Sequence, residues 1–244
     1  MIKKSGTGLI SREVWAIVPA AGQGVRMGGD LPKQHMDLCG KSILHHTLSR
    51  LCEMPFITGV VVGLTEPDPW WENNPFEHPK FHGEFRGGER RQDTVREGVL
   101  FLTGTIGVHL GEYVLVHDAA RPCIMHEDAR KVIMAAMKHG DGAVLGSRVK
   151  DTIKSSTEDG VISGTLDRNS CWRAYTPQVF NIANLSEALD MVMDNKITVT
   201  DEAMAMEHAG RSPIMVQGSD MNIKVTEETD LRLAEAFLEG STQS

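Results

Sequence analysis

The run VWAIVPA, Val14–Ala20, is apolar throughout and rich in β-branched residues. A strand with no polar side belongs in a sheet covered on both faces. The next segments fit that setting. SILHHTLSRLCEM, Ser42–Met54, puts Ile43, Leu44, Leu48 and Leu51 on one helical face with Pro55 just past its end. ITGVVVGL, Ile57–Leu64, is a second apolar strand. Strand, crossover helix and strand imply parallel neighbours. The rhythm continues with a helix from about Thr94, a strand opening YVLVHDAARP at Tyr113, a helix over Glu127–Gly140 and a strand in GAVLGSRV. Glu66–Phe81, with Pro67, Pro69, Pro75 and Pro79, is expected to be irregular surface. At Asp151–Arg168 the pattern changes to short β-prone pieces around EDG, which reads as a hairpin. Helices return at Asn184–Asn195, Thr200–Gly210 and Thr226–Gly240, the last with Thr226 as its N-cap. The expected architecture is one α/β domain over residues 1–244, a mostly parallel sheet with helices on both faces and a protruding β-hairpin.

A net charge of −8 argues against a general nucleic-acid or anionic-membrane binder, so any positive field must be local. No apolar run is long enough for a membrane helix, and the first dozen residues lack the apolar stretch of a signal peptide. A cytoplasmic location is expected. Cys39, Cys52, Cys123 and Cys171 show no close pairing, which disfavours a disulfide framework or a zinc site and suggests reduced, mostly buried thiols.

Three strings carry chemistry. The glycine-rich loop after the first strand, within VPAAGQGVRMGGDLPKQ, lies where open parallel sheets bind ligands. Its glycines permit close backbone approach to a phosphate, and Arg26 and Lys33 can neutralise phosphate charge. No Gly-Lys-Ser/Thr completes a P-loop, and Met27 stands at the third glycine of the dinucleotide fingerprint. In VHDAARP, Asp118 follows an apolar strand, where a carboxylate either holds a divalent cation against phosphates or caps a turn. Magnesium suits that position better than zinc. His117 reads as a hydrogen-bonded packing residue. In RGGERRQDTV, Gly87, Gly88 and Thr94 permit approach and hydrogen bonding, while Glu89, Arg90 and Arg91 by themselves read as a solvated charged turn.

PAAGQGVRM with PKQ, GGERRQDTV, VHDAARP, KDTIK, DRNSCWRAYTPQVF, TDEA and NIKVT occur in the order and spacing of one family. The chain closely resembles the 2-C-methyl-D-erythritol 4-phosphate cytidylyltransferases of the non-mevalonate isoprenoid pathway, from about residue 14 to 240. That resemblance implies a Rossmann-like nucleotidyltransferase domain whose hairpin arm, at about 148–171, embraces a partner in a homodimer. It implies CMP transfer from CTP to methylerythritol 4-phosphate with Mg2+. Pro19, Ala20, Ala21, Gly22, Lys33, Gly88, Glu89, Thr94, Ala119 and Lys224 would contact CTP, with Thr94 standing where serine is commoner. Asp118 would bind the metal. Arg26 and Lys33 would stabilise the transition state, and Arg168 and Lys224 would complete the catalytic set. Thr152, Arg168, Thr176 and Thr200 would line the sugar-phosphate pocket, some of them across the dimer. The role of Asp220 stays open. Rival readings are a ribitol-5-phosphate cytidylyltransferase and a nucleotide-binding regulator without catalysis.

Overall fold

The computed structural model describes residues 12–22 and 31–241. The strands are β1 (Val14–Pro19), β2 (Asp37–Leu38), β3 (Lys41–Ser42), β4 (Gly59–Leu64), β5 (Phe81–Arg86), β6 (Tyr113–Val116), β7 (Ala143–Arg148), β8 (Lys154–Ser156), β9 (Ile162–Thr165), β10 (Trp172–Asn181) and β11 (Ile214–Gln217). The helices are α1 (Ile43–Cys52), α2 (Pro69–Asn73), α3 (Arg91–Leu100), α4 (His126–His139), α5 (Ile182–Asp194), α6 (Glu202–His208) and α7 (Glu228–Ser241). Seven strands form one sheet in the order β11-β7-β10-β6-β1-β4-β5, and β10 alone runs antiparallel to its neighbours.

The two-residue period of β1 divides the core. Val14, Ala16 and Val18 pack on the side of α1 and α4, with Leu44, Leu48, Leu51, Val132 and Ile133. Trp15 and Ile17 face the other side with Val95 and Val99 of α3, Leu185 and Leu189 of α5 and Met206 of α6. Both faces are therefore covered, as the all-apolar β1 requires. A smaller cluster of Leu38, Ile43, Cys123, Val225, Ala234 and Leu238 seats α7 beside the start of α1. The ends of helices follow local chemistry: Ser42 Oγ accepts from the His45 N–H at 3.1 Å to start α1, and Gly140, at φ +93°, ends α4.

The structure departs from expectation in several places. The proline-rich Glu66–Phe81 contains α2, because Pro69 takes the first helical position, where its missing N–H costs nothing. Trp71 is 5% exposed there and packs near Phe81. Helix α3 begins at Arg91 rather than Thr94, since Arg90 and Asp93 bond each other around its first turn. WRAYTPQVFN is a long sheet strand, with a register break between Ala174 and Gln178 that accommodates Pro177. Thr226 does not cap α7 with its hydroxyl; that hydroxyl donates to Asp230 Oδ2 at 2.7 Å. All four cysteines are free, yet only Cys52 and Cys123 are buried. The hairpin is present as β8 paired with β9, and its exposed side chains include Val161 and Ile162.

Candidate active site

The chain runs from β1 outward to β4 and β5, then returns to β6 on the other side of β1. The carboxyl ends of β1 and β6 therefore diverge into a crevice, the place where open α/β sheets take ligands. Ile17 pairs with Val116, which brings PAAG and HDAARP side by side at those ends. One cleft there is lined by Pro19, Ala20, Ala21, Gly22, Lys33, Gln34, Gly88, Glu89, Arg90, Arg91, Thr94, Asp118, Ala119, Ala120 and Lys224. The space a Cβ on Gly22 would take is open, with nothing within 4 Å. Gly87 differs, because a Cβ there would run into the Ala21 methyl; this glycine lets the second string close against the first. The Thr94 hydroxyl accepts from the Gly88 N–H at 3.1 Å and lies 3.2 Å from the Arg90 carbonyl, so it shapes the GG turn from within.

Asp118 is the electrostatic centre of the cleft. Its Oδ1 meets Arg91 Nε at 2.9 Å, its Oδ2 meets Lys224 Nζ at 2.8 Å, and Arg121 Nε lies 3.6 Å from Oδ2. Burial opposes ionisation of Asp118, but Arg91, then Lys224 and Arg121, outweigh it and hold the carboxyl far below the ordinary range. The Asp118 N–H donates to Thr176 Oγ1 at 2.9 Å, which fixes the carboxylate from behind. Arg91 also forks onto Glu202 at 2.6 and 3.0 Å. Burial lifts the Glu202 carboxyl above its usual value, with Arg91 opposing. His117 has no exposed surface, and its Nε2 lies 3.0 Å from the Arg121 carbonyl. Burial drops its pKa to about 4, which suits a neutral packing residue.

Among the described residues no group of three or more His, Cys, Asp or Glu could hold a metal ion. Asp118 offers a single ionised carboxylate at the floor of an open cleft. That donor set fits Mg2+, which takes one or two carboxylates when phosphates and water fill the other positions.

The family model described as IspD, 2-C-methyl-D-erythritol 4-phosphate cytidylyltransferase, matches residues 14–240. The chain belongs to this family. The cytidylyltransferase of that name from Aeromonas hydrophila is 45% identical over 224 residues, 92% of this chain and 89% of the relative. Its counterpart from Vibrio vulnificus is 42% identical over 224 residues, 91% and 93% of the two chains. A crystal structure of 4-diphosphocytidyl-2C-methyl-D-erythritol synthase superposes with a TM-score of 0.81 at 32% identity, covering 93% of this chain and all of the other. The Francisella tularensis cytidylyltransferase gives 0.80 at 32% identity, with 92% and 99% coverage.

For a member of the cytidylyltransferase family, the placement of the sequence-derived residues divides sharply. All ten assigned to CTP, together with Asp118, line the one cleft. Arg26 lies outside the described residues. Thr176 is 3% exposed and sits behind Asp118 instead of facing the cleft. Thr152 and Arg168 lie at the root of the hairpin, with Arg168 donating to the Lys150 carbonyl at 3.0 Å, and Thr200 is exposed just ahead of α6. Within this single chain those three do not line the cleft. Asp220, left open from sequence, pairs with Lys150 at 2.5 Å. Sequence reasoning passed over Arg91, Glu202 and Gln34. The first two stand inside strings already singled out, GGERRQDTV and TDEA, and Gln34 closes PKQ.

Proposed function

We propose that this chain transfers CMP from CTP to 2-C-methyl-D-erythritol 4-phosphate, forming 4-diphosphocytidyl-2-C-methyl-D-erythritol and pyrophosphate for isoprenoid precursor synthesis. One observation carries the reading: the family's nucleotide strings, scattered along the chain from Pro19 to Lys224, converge on one cleft at the sheet's switch point. An acceptor phosphate oxygen attacks the α-phosphorus in line; one P–O bond forms as the bond to pyrophosphate breaks. A phosphate monoester is already nucleophilic, so the chain needs no covalent intermediate, and buried His117 is not asked for a proton. The barrier is the approach of two polyanions, and charge stabilisation is the work of the protein. Lys33 and Lys224, which line the cleft, supply it on this reading, and Arg26 is assigned the same task from its sequence position. Asp118 together with nucleotide phosphates would hold a divalent cation, Mg2+ on this reading, which neutralises triphosphate charge when bound.

Arg168, Thr152 and Thr200 belong, on this reading, to the sugar-phosphate pocket. The hairpin at about 148–171 joins two copies of a single-domain chain in a homodimer and brings Thr152 and Arg168 to the partner's cleft. Among the described residues no helix is long and apolar enough to cross a membrane, and a cytoplasmic enzyme is the reading we adopt. Pyrophosphate release is measured with CTP, Mg2+ and methylerythritol 4-phosphate, omitting each in turn and substituting ribitol 5-phosphate. Release should require all three. Lys33→Ala and Arg26→Ala should each lower turnover by about 10²-fold with the fold intact. Preference for ribitol 5-phosphate, or CTP binding without release, would overturn the proposal.

A further inference from the structure

The first three residues after β1 have every carbonyl oxygen taken by a side chain. Gln34 Nε2 donates to the Ala20 carbonyl at 3.0 Å and to the Gly22 carbonyl at 3.3 Å. Thr65 Oγ1 donates to the intervening Ala21 carbonyl at 2.6 Å. Gln34 is 5% exposed and comes from the single turn Lys33–His35, while Thr65 follows β4. The Ala20 N–H is also fixed, donating to the Gly63 carbonyl at 2.8 Å. A trans peptide is planar, with its N–H antiparallel to its C=O. Anchoring the Ala20 and Ala21 carbonyls therefore sets the direction of the Ala21 and Gly22 N–H groups without any ligand. A triphosphate needs donors; a carbonyl turned into the cleft would repel it.

We propose that Gln34 and Thr65 are positioning residues that set the backbone polarity of Ala20, Ala21 and Gly22, where the nucleotide loop begins, holding those three carbonyls in the protein and presenting the Ala21 and Gly22 amides to CTP. The proposal rests on the CTP reading above but concerns only nucleotide affinity. Two side chains from different elements act on the same three carbonyls, so a carbonyl freed from either is able to turn toward the phosphates. Lys33 and Gln34 then divide the work of neighbouring positions: the first meets the nucleotide, the second aims the loop that meets it.

The test uses the full-length protein with Thr65→Val, Thr65→Ser and Gln34→Glu. CTP binding is read by calorimetry with Mg2+ and without acceptor; KM for each substrate is read from pyrophosphate release. Thr65→Val removes only the donor and should weaken CTP about 5-fold, the effect of one neutral hydrogen bond. Thr65→Ser should restore wild-type affinity. Gln34→Glu replaces the amide with a carboxylate facing two carbonyls and should weaken CTP about 30-fold. KM for methylerythritol 4-phosphate should stay within about twofold in all three. Wild-type CTP affinity in Thr65→Val at an unchanged melting temperature would overturn the proposal, as would an equal rise in both KM values. A wild-type protein that binds CTP but releases no pyrophosphate would refute the activity and leave this proposal to stand on the binding data. A wild-type protein that does not bind CTP would overturn both.

Discussion

Replacing Arg91 with methionine keeps much of the side-chain length and removes the guanidinium that joins Glu202 to Asp118. Asp118 retains Lys224 and Arg121, whereas the Glu202 side chain, 1% exposed, has no other ion-pair partner among the described residues. A buried carboxylate stripped of its cation is costly, but the cost has a ceiling, because the group can take up a proton. From the ordinary glutamate value of 4.5 to pH 7 is about 2.5 pH units. At about 1.36 kcal/mol per unit the ceiling is roughly 3.4 kcal/mol, or about 7–14 °C in melting temperature for a chain of this size. The sign follows from proton linkage. In the variant the folded-state pKa of Glu202 stands well above its unfolded value, so the folded state binds more protons and stability falls as pH rises. Urea unfolding of wild type and variant between pH 5 and pH 8 reads this directly. Because Glu202 is already lifted in the wild type, the gap should stay below about 0.7 kcal/mol at pH 5 and grow toward, without reaching, about 3.4 kcal/mol at pH 7, on top of a constant packing loss. A gap of equal size at pH 5 and pH 7 would refute the charge argument and leave packing alone.

Other perturbations probe separate parts of the molecule. His117, with its pKa lowered from 6.5 to about 4, binds protons more readily when unfolded; its contribution is present above pH 6.5 and lost as pH falls toward 4, up to about 3 kcal/mol. His117→Gln should flatten that part of the urea profile, and an unchanged acid slope would count against it. Gly87→Ala pushes a methyl into Ala21 and should cost about 1–3 kcal/mol while weakening CTP binding, so wild-type behaviour in both assays would contradict the close contact. Val161→Asp with Ile162→Asp on the exposed hairpin should give a monomer by sedimentation velocity without loss of melting temperature; a persistent dimer would remove the arm from the interface.

What the sequence disclosed and what it hid have a common physical basis. β1 and β4 were legible because burial on both faces leaves only apolar residues in them, and β7 because its first four residues, Ala143 to Gly146, are apolar as well. β10 was not, because Thr176 and Gln178 break its apolar run although both are buried: Thr176 supports Asp118, and Gln178 bonds Asp201 and Ala203. A buried polar residue satisfied by distant partners looks the same, in one dimension, as a solvated one. Arg91 shows this most clearly. Within GGERRQ it reads as part of a charged turn, and only its carboxylate partners Asp118 and Glu202, 27 and 111 residues away, draw it half into the protein. The cleft's backbone contacts were readable, since glycine and proline punctuate loops wherever the chain places them. Thr152, Arg168 and Thr200 rest on the resemblance, and among the described residues of one chain they do not line the cleft.

β10 begins at the foot of the hairpin, where Trp172 lies under the Arg148 guanidinium at 4.6 Å, and ends at Asn181 beside β6. Ten residues at about 3.3 Å each make it a beam of roughly 33 Å, gripped by β7 and β6. Thr176 sits near its midpoint, at the bulge where the grip is interrupted. The strand that leaves the hairpin thus carries, at its one irregular stretch, the hydroxyl that receives the Asp118 N–H, so a single residue ties the seating of that strand to the backbone of the cleft.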